Sequence, residues 1–264
     1  MRLAKTDPAA EAWGDAMEDA YFTAFEDADV RTHARLASQV GETGQASAAE
    51  GRIRPDLNAS EVVVAALDRP RLFVDLTEAI TASGGNVVGA RVFTAKTGRA
   101  LDVFYVQDIN GQPFGATNER ALSRLAESLA AAARGEPQGH EARRQDLSRA
   151  SAFSITPAVM LDNDASETST VVEASGRDRP GLLAALARIL SDSGLEITSA
   201  HIDGYGERAV DAFYVVDDDG AKLTDARKGN ALKSALLAAL SAGEAESAKA
   251  RRINLQQARA SQAR

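Results

Sequence analysis

Between residues 61 and 134 the apolar positions change period several times. "EVVVAAL" (61–67) is a continuous β-branched run, and Leu72, Phe73, Leu76 and Ile80 then fall on one face of a helix. Residues 86–95 and 99–107 read as two strands joined by a Gly-containing turn, a hairpin signal. A second helix is predicted over about 118–134, with Asn118 or Thr117 as N-cap. The same succession follows again: "TSTVVEAS" (168–175), a helix with Leu182, Leu183, Leu186, Ile189 and Leu190 on one face, strands at 196–203 and 208–216, and a helix over about 224–241 capped by Thr224. Gly84 and Gly194 fit the left-handed cap that ends each first helix.

The two patterns match residue by residue. At an offset of 110 residues, Asp68/Asp178, Arg69/Arg179, Pro70/Pro180, Leu72/Leu182, Leu76/Leu186, Ser83/Ser193, Gly84/Gly194 and Ala90/Ala200 are identical. "RALDVFYVQD" (99–108) then matches "RAVDAFYVVD" (208–217) after a one-residue gap. So long a period suits a repeated small domain rather than a solenoid unit. Each copy reads β-α-β-β-α, and "PAVMLDND" (157–164) supplies a final strand to the first. The second copy has no comparable final strand, since only Ile253 and Leu255 are large and apolar after residue 241, so its fourth strand is absent or borrowed. The expected fold is therefore α+β: two ferredoxin-like βαββαβ modules in tandem, antiparallel sheets with helices on one face. The expected divisions are an N-terminal helical segment (1–40), a linker (41–60), a first module (61–164, with an internal linker at 135–154), a second module (168–241) and a basic tail (242–264).

The N-terminal segment reads as one helix over 7–40, with Asp7 as cap and Pro8 in the first position. Trp13, Met17, Tyr21 and Phe25 recur every four residues along it; the stripe either packs on the modules or docks a further domain. Residues 41–60 and 135–154 are polar and rich in Gly, Ser or Pro, as linkers are. The tail 243–264 carries five Lys or Arg against two Glu.

Composition then removes several function classes. A net charge of −8 argues against general nucleic-acid binding, which needs clustered cations. There is no cysteine, hence no disulfide, thiolate metal site or Cys nucleophile. The start of the chain lacks the apolar core of a signal peptide, and no run approaches the ~20 apolar residues of a membrane span; the expectation is a cytoplasmic protein with no membrane or nucleic-acid partner. His33, His140 and His201 stand on unrelated segments, and no catalytic or metal motif appears, so catalytic residues, metals and cofactors are all expected to be none. "GYGERA" (204–209) fits a dinucleotide fingerprint, but between two strands it reads as a hairpin turn.

What remains is the repeated turn, "DRPG" at 178–181 and "DRPR" at 68–71. With Pro180 at the first helical position, Gly181 and Leu182 would leave backbone N–H donors facing outward, suited to a carboxylate. Gly181 would admit a ligand closely. Asp178 and Glu196 would accept an ammonium; Asp68 and Asn86 are their counterparts in the first copy, where Arg71 is expected to crowd the site. The candidate ligand-binding set is Asp178, Arg179, Pro180, Gly181, Leu182 and Glu196, with Asp68, Arg69, Pro70 and Asn86.

These same residues carry a resemblance. "RDRPGLL", followed by "SDSGLEITSAHI" and "GERAVDAFYVVD", resembles the ACT domain, a small ligand-sensing module of amino-acid metabolism. Through "DRPGLLAALARIL", "SAHIDGYGERAVDAFYVVD" and "VMLDNDASETSTVVEASGRDRPGLL" the tandem is similar to the C-terminal regulatory region of the bifunctional PII uridylyltransferase/uridylyl-removing enzyme family, and "EDAYFTAFEDADVRTHARL" (18–36) is similar to the stretch preceding it there. The resemblance implies glutamine sensing in nitrogen regulation; the alternatives are an ACT regulator that senses another amino acid, or a remnant of that enzyme that binds nothing. PII or a catalytic partner chain are the implied macromolecular partners, and sheet or helix faces offer routes to a homo-oligomer. No segment resembles that family's nucleotidyltransferase or HD domains, so the expectation is a regulatory protein and not an enzyme.

Overall fold

The computed structural model describes residues 8–41, 44–137 and 155–242. Asp7, His140, most of the 135–154 linker and the tail from 243 lie outside the described residues. The elements in chain order are α1 (Pro8–Ala16), α2 (Asp19–Ala24), α3 (Asp27–Gln39), β1 (Ser47–Arg54), β2 (Ala59–Leu67), α4 (Leu72–Ala82), β3 (Asn86–Thr94), β4 (Arg99–Gln107), α5 (Glu119–Ala133), β5 (Ala158–Asp162), β6 (Thr170–Arg177), α6 (Leu182–Asp192), β7 (Leu195–Tyr205) and β8 (Arg208–Asp217), then a last helix, α7, over 226–242.

The strands form one antiparallel sheet in the order β1-β2-β4-β3-β7-β8-β6-β5. The two halves have the same spatial order, that of a ferredoxin-like unit, and join where β3 pairs with β7 through Gly89–Asp203, Ala90–Ile202, Arg91–His201 and Val92–Ala200. The helix following each first strand, the hairpins and the second helices are as the periodicity predicts.

The first module's fourth strand comes from elsewhere in the chain than expected, and the second module borrows the strand assigned to the first. Residues 158–162, expected to close the first copy, pair with β6 of the second. The equivalent strand of the first module is β1, inside the expected linker 41–60, and it pairs with β2 along its whole length. Each module thus runs ββαββα in sequence while keeping the ferredoxin-like arrangement in space. In such a sheet the edge position beside the first core strand accepts a strand arriving from either end of the chain. β1 reads as a linker because "SAAEGRIR" lies at a half-exposed edge and carries only one large apolar residue.

α4, α5, α6 and α7 cover one sheet face over a single apolar core that includes Val62, Leu76, Phe104, Leu129, Leu186, Phe213 and Leu236. α1, α2 and α3 cover the opposite face of the first module only. The predicted single helix is broken at Met17–Glu18 and Phe25–Glu26, yet Trp13, Met17, Tyr21 and Phe25 are all buried against Val63, Ala65, Phe93, Leu101 and Val103. At the corresponding positions the second module has Glu173, Ser175, Asp203, Val210 and Ala212. Its outer face is therefore polar where the first is apolar, and no described helix covers it. This also explains why β2, covered on both sides, is buried at eight of its nine positions.

Two caps differ in detail. Asn118 precedes α5 as expected, but its side chain makes no capping bond. At α7 the cap is Asp225 and not Thr224: its Oδ1 accepts from the N–H of Arg227 at 2.7 Å and of Lys228 at 3.2 Å.

Candidate functional site: two clefts between the modules

The repeated turn forms for a local reason. The N–H of Leu182 donates to the carbonyl of Arg179 at 3.0 Å, and Gly181 sits at φ 77°, ψ 5°. A Pro followed by a residue of this left-handed geometry is the signature of a type II turn. α6 starts only at Leu182, so Pro180 precedes the helix instead of opening it. The Leu182 N–H is consequently engaged and not free. In the first copy Leu72 donates to Arg69 at 3.2 Å, and Arg71 holds the left-handed position at φ 65°. Gly181 thus has a backbone reason to be glycine, independent of any ligand.

The arginines of the turns are held by the protein. Arg69 donates to the carbonyls of Ala132 (2.7 Å) and Ala133 (3.0 Å) at the end of α5 and to Asp75 (2.6 Å). Arg179 reaches the carbonyl of Ala239 on α7 at 3.4 Å. Both place a cation at the negative end of a helix, tying the turn to its module.

The turns face across the molecule. β7 lies beside β3 and β8, away from β6, which separates Glu196 from Asp178. Glu196 instead lines a cleft with Asp68, Arg69, Pro70, Arg71, the first residues of α4 and the start of β7 as far as Thr198. The reciprocal cleft, which is smaller, brings Asp178, Leu182 and Leu183 against Val87 and Val88 of β3. There Asn86 donates to Asp178 Oδ2 at 3.2 Å. Each turn is therefore completed by the other module, and the expected pairs Asp178–Glu196 and Asp68–Asn86 are exchanged. Arg179, Pro180 and Gly181 do not line the second cleft. Matching β-bulges, Val87/Gly89 and Ile197/Ser199, bend β3 and β7 at the cleft edges.

The larger cleft is the first, despite Arg71. Its guanidinium extends to Ser191 Oγ and Asp192 Oδ1 at the end of α6, both at 3.4 Å. At the start of α4 the first helical bond runs from Asp75 to Arg71, so the N–H groups of Phe73 and Val74, both lining the cleft, precede it.

Sequence reasoning missed two buried acids. Asp102 lines the first cleft and is 1% exposed; Asp211 lines the second and is 2% exposed. Neither Asp102 oxygen has a hydrogen-bond partner, nor does Asp211 Oδ1. Burial, reinforced by Asp68, pushes Asp102 up to about 8. Burial, then Asp178 and Asp203, raises Asp211 well above the ordinary carboxylate range. Asp68 and Asp178 are also raised, chiefly by burial. The signal was present in "RALDVFYV" and "RAVDAFYV", where strand alternation sets the aspartate between residues of the helix-facing core. The first cleft thus combines free helix-start N–H donors with the acids Asp68, Asp102 and Glu196. Among the described residues no group of three His, Asp or Glu side chains is arranged to hold a metal, and no helix is long and apolar enough to cross a membrane.

Residues 165–240 match the model of the ACR family N-terminal ACT domain. The chain is 75% identical over 263 residues to a bifunctional uridylyltransferase/uridylyl-removing enzyme of Phenylobacterium zucineum, covering 99% of this chain and 28% of that protein. Its counterpart in Caulobacter vibrioides is 61% identical with the same coverage. The chain thus spans a little over a quarter of the length of these relatives. A crystal structure of aspartate kinase from Synechocystis overlaps weakly, at 16% identity and a TM-score of 0.34 over 61% of this chain and 24% of that one. The second module is thus ACT-type, the first repeats its sequence and fold, and the tandem as a whole is similar to a little over a quarter of the bifunctional uridylyltransferase/uridylyl-removing enzymes.

Proposed function

We propose that this chain is an amino-acid-sensing regulatory unit of a PII uridylyltransferase/uridylyl-removing system, with L-glutamine as its ligand and no catalytic role of its own. The observation that carries the reading is the first cleft, walled by the turn of one module and the strand start of the other. A ligand carboxylate would take the backbone N–H groups at the start of α4, with Asp68 and Glu196 near its ammonium. Asp178, Leu182 and Asn86 form the smaller counterpart, while Arg69, Pro70, Arg179, Pro180 and Gly181 shape the turns. Because both walls contribute, a bound ligand favours one relative placement of the modules over others, and that difference is what a regulatory unit transmits to an attached catalytic part or to PII. The sensing modules would span 47–137 and 158–242.

Calorimetry and thermal melts of the purified chain against a panel of amino acids and nucleotides test this. Saturation at ~100 times Kd adds about 2.7 kcal/mol of stability. A melting temperature unmoved by every amino acid at about 10 mM would refute amino-acid sensing, and a shift with a different amino acid would reassign the ligand.

A further inference from the structure

Asp102 lacks the compensation its burial demands. Along β4 it lies between Ala100 and Phe104, both in the helix-facing core, so its carboxyl group sits under α4 at the lining of the first cleft. It is 1% exposed and neither oxygen is hydrogen-bonded. The charged groups around it are Asp68, Arg69 and Arg71 on the turn, Asp75 on α4 and Glu196 on β7. Arg69 is engaged with Asp75 and two α5 carbonyls, and Arg71 with the end of α6. Neither guanidinium answers the carboxyl group. An isolated buried charge is costly unless it is paired or neutralised.

We propose that Asp102, together with Asp68, is the ammonium-binding subsite of the first cleft, making the cleft selective for ligands that carry a primary ammonium beside a carboxylate. The proposal rests on the reading of this cleft as an amino-acid site. With the ligand carboxylate at the start of α4, the ammonium is left facing the two acids. In the empty protein Asp102 is neutral at pH 7, because burial and Asp68 hold it up to about 8. Arrival of the ammonium stabilises the ionised form. The carboxyl proton then passes to solvent while the ligand stays protonated, so close to one proton is released per ligand. Affinity accordingly rises with pH towards about 8, by up to tenfold per unit.

The test is calorimetry of the whole chain at pH 7 with L-glutamine and the other amino acids, in two buffers of different ionisation enthalpy. It is repeated with 4-carbamoylbutanoate, which is glutamine without its amino group, and with Asp102→Asn. The expected results are release of close to one proton by the parent and roughly ten- to hundredfold weaker binding by Asp102→Asn, the scale of a lost charge-assisted contact. The variant should release no proton and melt no lower than the parent, since it removes an unpaired buried acid. The deaminated analogue should not bind. Equal affinity and proton release in Asp102→Asn, or an analogue binding as well as glutamine, overturns the subsite while amino-acid sensing stands. Absence of binding by every amino acid to the parent overturns both.

Discussion

The left-handed residue of the two turns gives a paired stability prediction. Gly181→Ala places a Cβ at φ 77°, where an L-residue costs about 1–2 kcal/mol. That Cβ would lie 3.2 Å from Thr81 Cγ2 on α4, a tight contact that adds a few tenths. The smaller conformational freedom of unfolded Ala returns about 0.4–1 kcal/mol. The net loss is about 1 kcal/mol, or a melting temperature lower by about 2–4 °C for a chain of this size. Arg71→Gly is the mirror experiment. It relieves the same backbone cost at φ 65° and gives up contacts to Ser191 and Asp192 at 3.4 Å. The side chains of Arg71 and Asp192 are 45% and 63% exposed, so that pair contributes little. After the entropy of unfolded Gly the variant should melt level with the parent or slightly above it. Circular dichroism melts of the parent and both variants supply the assay. A Gly181→Ala protein as stable as the parent would refute the backbone explanation. The same titrations discriminate further: Gly181 does not line either cleft, so the alanine variant should keep its affinity for glutamine at the first cleft.

Two further outcomes concern the helical layer over the first module. His33 is 1% exposed, its Nδ1 lies 2.8 Å from the Tyr21 hydroxyl, and burial pushes it down to about 4. The unfolded chain therefore takes up a proton near pH 6.5 that the folded chain refuses until about pH 4. Stability from His33 is complete above pH 6.5 and is lost on acidification at up to ~1.4 kcal/mol per unit, about 3 kcal/mol in all. Urea midpoints of the parent and His33→Gln should converge between pH 7 and pH 4.5, and a gap independent of pH contradicts this. Phe93→Ala removes the ring that meets Tyr21 and Phe25 at centroid distances of 5.4 and 5.8 Å and should cost about 3 kcal/mol. Trp13 is the single tryptophan and is buried in the same layer, so its emission reports the loss directly; an unchanged unfolding midpoint would mean the layer is not held there.

Much of this molecule follows from residues close together in the chain. The hairpins, the α4 and α6 helices ending at Gly84 and Gly194, and the Pro–Gly turn depend on periodicity and backbone preference within a few residues, so the sequence by itself determined them, along with the duplication. The apolar stripe Trp13–Met17–Tyr21–Phe25 likewise identified a buried face, although the helix carrying it is broken twice. Strand partnership was decided only by the tertiary structure. "SAAEGRIR" and "AVMLD" are short edge strands whose pairing energy comes from neighbours distant in sequence, and an edge position accepts a strand from either direction. The exchange of Glu196 and Asn86 between the turns has the same origin. It follows from β3 pairing with β7, a contact between residues about a hundred positions apart that no local pattern encodes. Asp102 and Asp211 mark the boundary between the two kinds of information. Alternation places them on the core face of their strands, but their desolvation, and with it their chemistry, exists only once α4 and α6 close over the sheet.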